Sequence, residues 1–235
     1  MHNALFWRGY FERMFKPHLE RTLQVLEKRL IPTFDGIEAE ATAVREKTYE
    51  DLMAMPVDPD MTDESMLADA AFQAGYDHYS GMEAVRQSLI NAFAPLLFHT
   101  WEEQLIGFHR KEVLRPREKN DNRLLQVKIL RKRLMDEGLD VTRLSTWSSL
   151  EELKLVANTV KHADGESADR LRGVRPELFE MDRGASAANP IRHACQHRVY
   201  HPMSGEDLYL TLGDLQGYGR AAIAFWEEFA DALAQ

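Results

Sequence analysis

The stretch Val85-Arg-Gln-Ser-Leu89-Ile-Asn-Ala-Phe93-Ala-Pro95-Leu-Leu97-Phe-His-Thr-Trp101-Glu-Glu-Gln-Leu105-Ile-Gly-Phe108 carries the longest periodic pattern in this chain. Val85, Leu89, Phe93, Leu97, Trp101, Leu105 and Phe108 recur at spacings of three or four, so at 3.6 residues per turn they line one face of a helix. That face predicts the central helix of the core. A kink is expected at Pro95, which has no backbone N–H to give to the preceding turn.

Working outward toward the N-terminus, a break is expected near Ser80-Gly81, after a helix marked by Leu67, Ala71 and Ala74. Pro56-Val-Asp-Pro59 reads as a loop, because two prolines in four residues oppose helix. Before it, Ile37, Ala41, Val44 and Leu52 mark one helix. Leu19, Leu23, Leu26 and Leu30 mark another, bent at Pro17 and ending at Pro32.

Toward the C-terminus, Leu124, Val127, Leu130 and Leu134 predict a helix closed by Gly138 in the left-handed conformation. Ser148-Ser-Leu-Glu151 reads as a capping box for the next helix, whose buried stripe is Leu150, Leu153, Val156 or Ala157, and Val160, with Gly165 at its end. Residues 180–204 look irregular, and Leu208, Leu210 and Leu212 alternate as a short extended run. Thr211-Leu-Gly-Asp214 can cap a last helix carrying Leu215, Tyr218, Ala222, Phe225, Trp226 and Phe229. No internal repeat is visible. The expectation is an all-α multi-helix bundle, with residues 1–81 packed as an N-terminal helical region on a bundle of residues 82–235, or with both in one continuous domain.

The bulk properties narrow the function classes. At 235 residues and 44% hydrophobic content, the chain can bury a core without staples, and its one cysteine, Cys195, cannot form an internal disulfide. No apolar run reaches the roughly 18 to 20 residues a membrane span needs, and no secretory signal pattern is seen, so a cytoplasmic protein off the membrane is expected. The net charge of −9 argues against coating nucleic acid through bulk electrostatics. A local basic patch over residues 110–133 reads as a solvated helix face.

Chemistry concentrates in Asn158-Thr-Val-Lys161-His162. Asn158 and His162 are four apart and share a helix face with Lys154 one turn earlier, turned away from the apolar stripe. Such groups suit metal-independent RNA cleavage: a histidine moves protons, while a lysine and an amide hold a phosphate and orient a 2′-hydroxyl. The same spacing also fits an ordinary polar helix end.

The segment Glu151-Glu-Leu-Lys-Leu-Val-Ala-Asn-Thr-Val-Lys-His162 resembles the signature helix of the HEPN superfamily, helical bundles bearing an Arg-Asn-x-x-x-His or looser Arg-x(4–6)-His motif. The layout is similar too, with Phe98-His-Thr-Trp-Glu-Glu103 on a long preceding helix and Tyr218 and Phe225-Trp226 on a terminal one. Asp164-Gly-Glu-Ser-Ala-Asp-Arg-Leu171, followed by Arg175-Pro-Glu-Leu-Phe179, resembles bacterial relatives of that group. The resemblance covers residues 82–235. It implies a homodimer with motif helices facing across a cleft, and a metal-independent RNase or RNA-binding protein of bacterial stress or phage defence, with an antitoxin or defence-system partner. It assigns Asn158 and His162 to the motif positions, with Lys161 or Lys154 supplying charge. Ala157 stands where the family carries arginine, and alanine offers no phosphate donor. The alternative is a non-catalytic helical module that binds another protein.

Other candidates are weaker. His99-Thr-Trp-Glu102 and His109-Arg-Lys-Glu112 have a one-helix metal spacing but no partner pair, and read as surface or bundle-edge polar contacts. His193, Cys195, His197 and His201 could bind zinc if their segment folded back, although a loop against the motif helix is the simpler reading. Arg192 and Arg198 could line an RNA cleft. Cys195 has no evident base partner, no phosphate loop is present, and no cofactor or metal is expected.

Overall fold

A computed structural model describes residues 3–55, 63–181 and 198–234 of the chain. The expected all-α architecture is what it shows, and no β-strand occurs among the described residues. The elements are α1 (Ala4–Tyr10), α2 (Lys16–Val25), α3 (Ile37–Met53), α4 (Glu64–Phe108), α5 (Val127–Asp136), α6 (Trp147–His162), α7 (Glu166–Val174) and α8 (Leu212–Leu233).

Helix α1 runs into α2 through a π turn over Phe11–Phe15, and α2 runs into a second over Leu26–Leu30. Each π turn ends two residues before a proline, Pro17 and Pro32. A proline ring collides with the carbonyl four residues back, and a widened turn relieves that collision; after Pro17 the helix continues as α2, whereas at Pro32, as expected, it ends in a 3₁₀ turn over Ile31–Phe34. The prolines therefore reshape this helix, which starts well before Pro17.

Helix α4 departs from expectation in one respect. It passes through Ser80, Gly81 and Pro95 as one element of 45 residues, with no break near Ser80-Gly81. Gly81 costs a helix interior about 1 kcal/mol relative to alanine, and α3 packed along the first half of α4 offsets it. The approach of α3 is set by Gly75, where a Cβ would lie 2.9 Å from the Ala41 carbonyl oxygen. Val85 also departs from the predicted apolar face and is exposed, because the core begins one turn later.

That core lies where the second half of α4 meets α1, α2, α6 and α8. Phe93, Leu97, Trp101, Leu105 and Phe108 are buried there. The aromatic rings interlock, with Phe11 at 4.6 Å from Trp226, Trp7 at 4.8 Å from Phe108 and Trp101 at 5.2 Å from Phe225. Each large side chain so buried contributes about 1.5–3 kcal/mol.

The predicted ends of α5 and α8 are present. Gly138 has φ +90°, and the N–H groups of Gly138 and Leu139 bond the carbonyls of Met135 and Leu134, which closes α5. Leu124 lies outside α5, in a preceding 3₁₀ turn. Thr211 and Asp214 form the reciprocal capping box of α8. In place of the expected extended run, Leu208 and Leu210 are buried in an irregular segment and Leu212 already belongs to α8; the segment is held by side chains of α4, with the Asn91 amide donating to the carbonyls of Pro202 and Leu208 at 2.7 Å each and Gln87 donating to Leu210 at 2.9 Å.

Candidate functional site

Helix α6 buries Leu150, Leu153, Val156, Ala157 and Val160 and turns Lys154, Lys161 and His162 to solvent. Its start corrects the predicted Ser148–Glu151 capping box. The helix begins at Trp147, and Thr146 precedes it without a side-chain cap of its own. The Glu228 carboxylate of α8 fills that place, accepting from the Thr146 N–H at 3.3 Å, the Thr146 hydroxyl at 3.2 Å and the Ser145 hydroxyl. A negative charge at a helix N-terminus is favourable against the macrodipole.

An ion network fixes the orientation of α6. The Arg175 guanidinium donates to Glu152 of α6 at 2.5 Å, to Asp214 of α8 at 2.9 Å and to Glu177. Tyr218 donates to Glu152 at 2.6 Å. Burial, with the Glu152 carboxylate second, pushes the Tyr218 hydroxyl far up. Burial works against the Arg175 charge, but Glu177, Glu152 and Asp214 outweigh it and hold the guanidinium above its ordinary range. These groups bind three elements together.

The C-terminal end of α6 carries the predicted residues. Asn158 is half-buried and its amide donates to the Ser167 hydroxyl of α7 at 3.4 Å, while His162 is exposed and makes no hydrogen bond or ion pair among the described residues. Immediately after it, Ala163 adopts φ +57° and ψ −131°, a region that L residues seldom occupy. Such strain costs about 1–3 kcal/mol. The turn it creates lets the Asp164 N–H bond the Val199 carbonyl at 3.0 Å, which brings Arg198 to 3.8 Å from the Asp164 carboxylate.

Lys161 meets a residue that sequence reasoning had set aside. Its ammonium lies 3.2 Å from His99 Nε2 on α4, and His99 Nδ1 lies 3.1 Å from Glu102. An ammonium has only protons to give, so Nε2 accepts, Nδ1 carries the hydrogen and the imidazole donates to the carboxylate. The His-x-x-Glu spacing gave half of this arrangement. Lys161 is 62 residues away, which no local pattern reaches.

One turn before Asn158, Lys154 borders a groove of about 540 Å³ with Glu102, Glu103, Arg110, Gln126 and Lys128, between α4, α5 and α6. The basic stretch over residues 110–133 thus reaches α6, although it spans a π turn, loop turns and α5 and is not one helix face.

The other candidates separate. His109 is fully buried, contrary to the surface or bundle-edge reading, and neither ring nitrogen has a hydrogen-bond partner among the described residues. Glu112 turns away from it, accepting from Trp7 Nε1 at 2.8 Å and from the Asn3 N–H at 3.1 Å. Arg192, His193, Cys195 and His197 lie outside the described residues. His201 is exposed, with Glu206 and Asp207 near enough to share an ion, and among the described residues it forms no such cluster with α6.

No protein-family model, curated protein or solved structure matches the chain.

Proposed function

We propose that this chain binds RNA across the groove beside Lys154 and cleaves it without a metal ion at the end of α6. The observation that carries this reading is the Glu102–His99–Lys161 relay set one residue from the exposed imidazole of His162. A lysine held by a neutral imidazole acceptor is directed toward one place, and a free histidine beside it can exchange protons with solvent or substrate.

In the proposed reaction a ribose 2′-hydroxyl attacks the adjacent phosphorus and gives up its proton to His162. The P–O5′ bond then breaks, and the protonated imidazole or water returns a proton to the departing 5′-oxygen. The products are a 2′,3′-cyclic phosphate and a 5′-hydroxyl. Lys161 offsets the charge on the phosphorane oxygens, Asn158 orients the ribose, and Lys154, Arg110 and Lys128 hold the strand. Arg198 reaches toward the same end of the helix and Arg192 remains a proposed strand contact. The HEPN resemblance adds a setting in bacterial stress or phage defence, with a second copy or an antitoxin as partner.

A specific observation favours a second reading. Ala157, at the place of the motif arginine, is wholly buried, and the Asn158 amide is engaged by Ser167. These features suit a non-catalytic module whose polar α6 face binds another protein.

Cleavage of a mixed-sequence RNA in excess EDTA separates the two. The wild type should cut, and His162→Ala should lose about 100- to 10,000-fold in rate, the usual worth of a general acid–base group, while keeping its helical circular dichroism. Full cleavage by His162→Ala overturns the assignment. Absence of both binding and cleavage in the wild type leaves the interaction module.

A further inference from the structure

The charge of this chain is concentrated in one place. Residues 37–83 hold twelve carboxylates against Arg45 and Lys47, a balance of −10 within a chain of net −9, so the remainder is close to neutral at +1. Among them, Ile37–Met53 form α3 and the residues from Glu64 form the first half of α4, packed against it. Residues 110–133 hold ten lysines and arginines against Glu112, Glu118 and Asp121, a balance of +7, and they follow directly on the end of α4. A helix of 45 residues rises about 68 Å. The acidic and basic regions therefore lie at opposite ends of one rod.

The acidic end is also apolar. Phe72, Tyr76 and Tyr79 stand at i, i+4 and i+7 on α4 and are 60%, 57% and 38% exposed. Asp69 and Glu83 continue the same face at either end by helical spacing. Beside the rings a groove of about 200 Å³ opens between α3 and α4, floored by Gly75 and Ala41 and edged by Glu38 and Arg45. Aromatic rings framed by carboxylates match a surface of arginines and lysines twice over, through ion pairing and through cation–π contact.

We infer that this face is the docking surface for a second copy of the chain, in an antiparallel two-fold dimer that sets each acidic end against the other copy's basic end. Charge complementarity commits the occupant: a surface of the right sign lies on the same molecule at the far end of α4. Antiparallel pairing uses both contacts twice and closes the assembly, whereas head-to-tail pairing would leave ends open. The acidic face lies apart from the proposed cleavage residues Asn158, Lys161 and His162, but the basic end shares Arg110 and Lys128 with the groove proposed to hold RNA, so the test uses basic residues that do not line that groove.

Sedimentation velocity on the full chain tests it. At about 50 mM salt the species should have twice the 27.1 kDa chain mass, and at about 500 mM it should fall toward one chain as the ionic attraction is screened. The exposed-residue variant Phe72→Ser/Tyr76→Ser should remain a monomer at low salt with an unchanged melting temperature. Arg117→Glu/Lys132→Glu, exposed at the other end and outside the groove, should weaken the dimer at least tenfold. A wild-type monomer at low salt overturns the inference, as does a mass that grows beyond two chains. A dimer indifferent to salt and to both variants also overturns it, since it would use another face.

Discussion

Replacing His109 by leucine should make the protein less sensitive to acid. The imidazole lies fully buried in the π turn His109–Val113, and among the described residues neither ring nitrogen has a hydrogen-bond partner. Burial, reinforced by the nearby Arg133 charge and only partly opposed by Glu118, brings its pKa down from 6.5 to about 4. The folded protein therefore resists a proton that the unfolded chain accepts, and unfolding takes one up between pH 6.5 and about 4. Stability is intact above 6.5 and declines as pH falls through that window. At about 1.4 kcal/mol for each tenfold change in proton affinity, the fall from 6.5 to about 4 contributes on the order of 3 kcal/mol, against a typical total of about 5–15.

Urea unfolding followed by circular dichroism at about pH 7.5 and about pH 4.5 measures the loss directly. Other groups titrate identically in both proteins, so the difference between wild type and His109→Leu isolates this one. The wild type should lose about 2–3 kcal/mol more than the variant, and the variant should be at least as stable near neutrality, because an unpaired buried polar group is exchanged for an apolar one. Parallel losses would refute the buried-histidine argument. Glu118 does not obscure the measurement, since bidentate pairing with Arg133 holds its carboxyl at about 2, below the window.

Further outcomes follow from the same structure. Ala157→Arg places a long cation where the chain is wholly buried and should cost several kcal/mol by overpacking and an unpaired charge; a melting temperature within a few degrees of wild type would contradict that position. Ala163→Gly should raise stability by about 1 kcal/mol by releasing the φ +57° strain, read as a higher urea midpoint. Glu228→Ala should cost about 1–2 kcal/mol by stripping the start of α6, and an unchanged midpoint would argue against that cap. Arg175→Met leaves Glu152 and Asp214 without their cation and should cost about 3–5 kcal/mol in the same assay.

What the sequence made legible was what repeats locally. The stripes of α6 and α8, the Thr211–Asp214 box and the left-handed Gly138 each follow from residues within one or two turns of one another, where helical spacing decides the neighbours. The departures come from partners far along the chain. Ser148 and Glu151 have the right spacing for a cap, but Glu228 from α8 supplies a full charge to the helix start one residue earlier. Ser80-Gly81 looks like punctuation, and the packing of α3 across Gly75 overrides it. In the candidate site Asn158, His162 and Lys154 were marked by spacing and Lys161 by its place beside His162, whereas His99 became relevant only once α4 and α6 were side by side. The choice between cleavage and binding was not legible, because it depends on what approaches the exposed imidazole.

The continuity of α4 restricts how this protein can vary in length. Each residue turns a helix by about 100°, so one codon lost between Gly81 and Ser88 would swing the acidic half of α4 by that angle relative to the core. Gly75 would then face away from α3, and the Phe72–Tyr76–Tyr79 face would point to a different side. Seven residues make almost two whole turns and would change the reach while nearly preserving the direction. Homologues should therefore differ in length here by near-whole numbers of turns, such as about seven, eleven or eighteen residues, or not at all, with irregular insertions confined to the connection between α3 and α4.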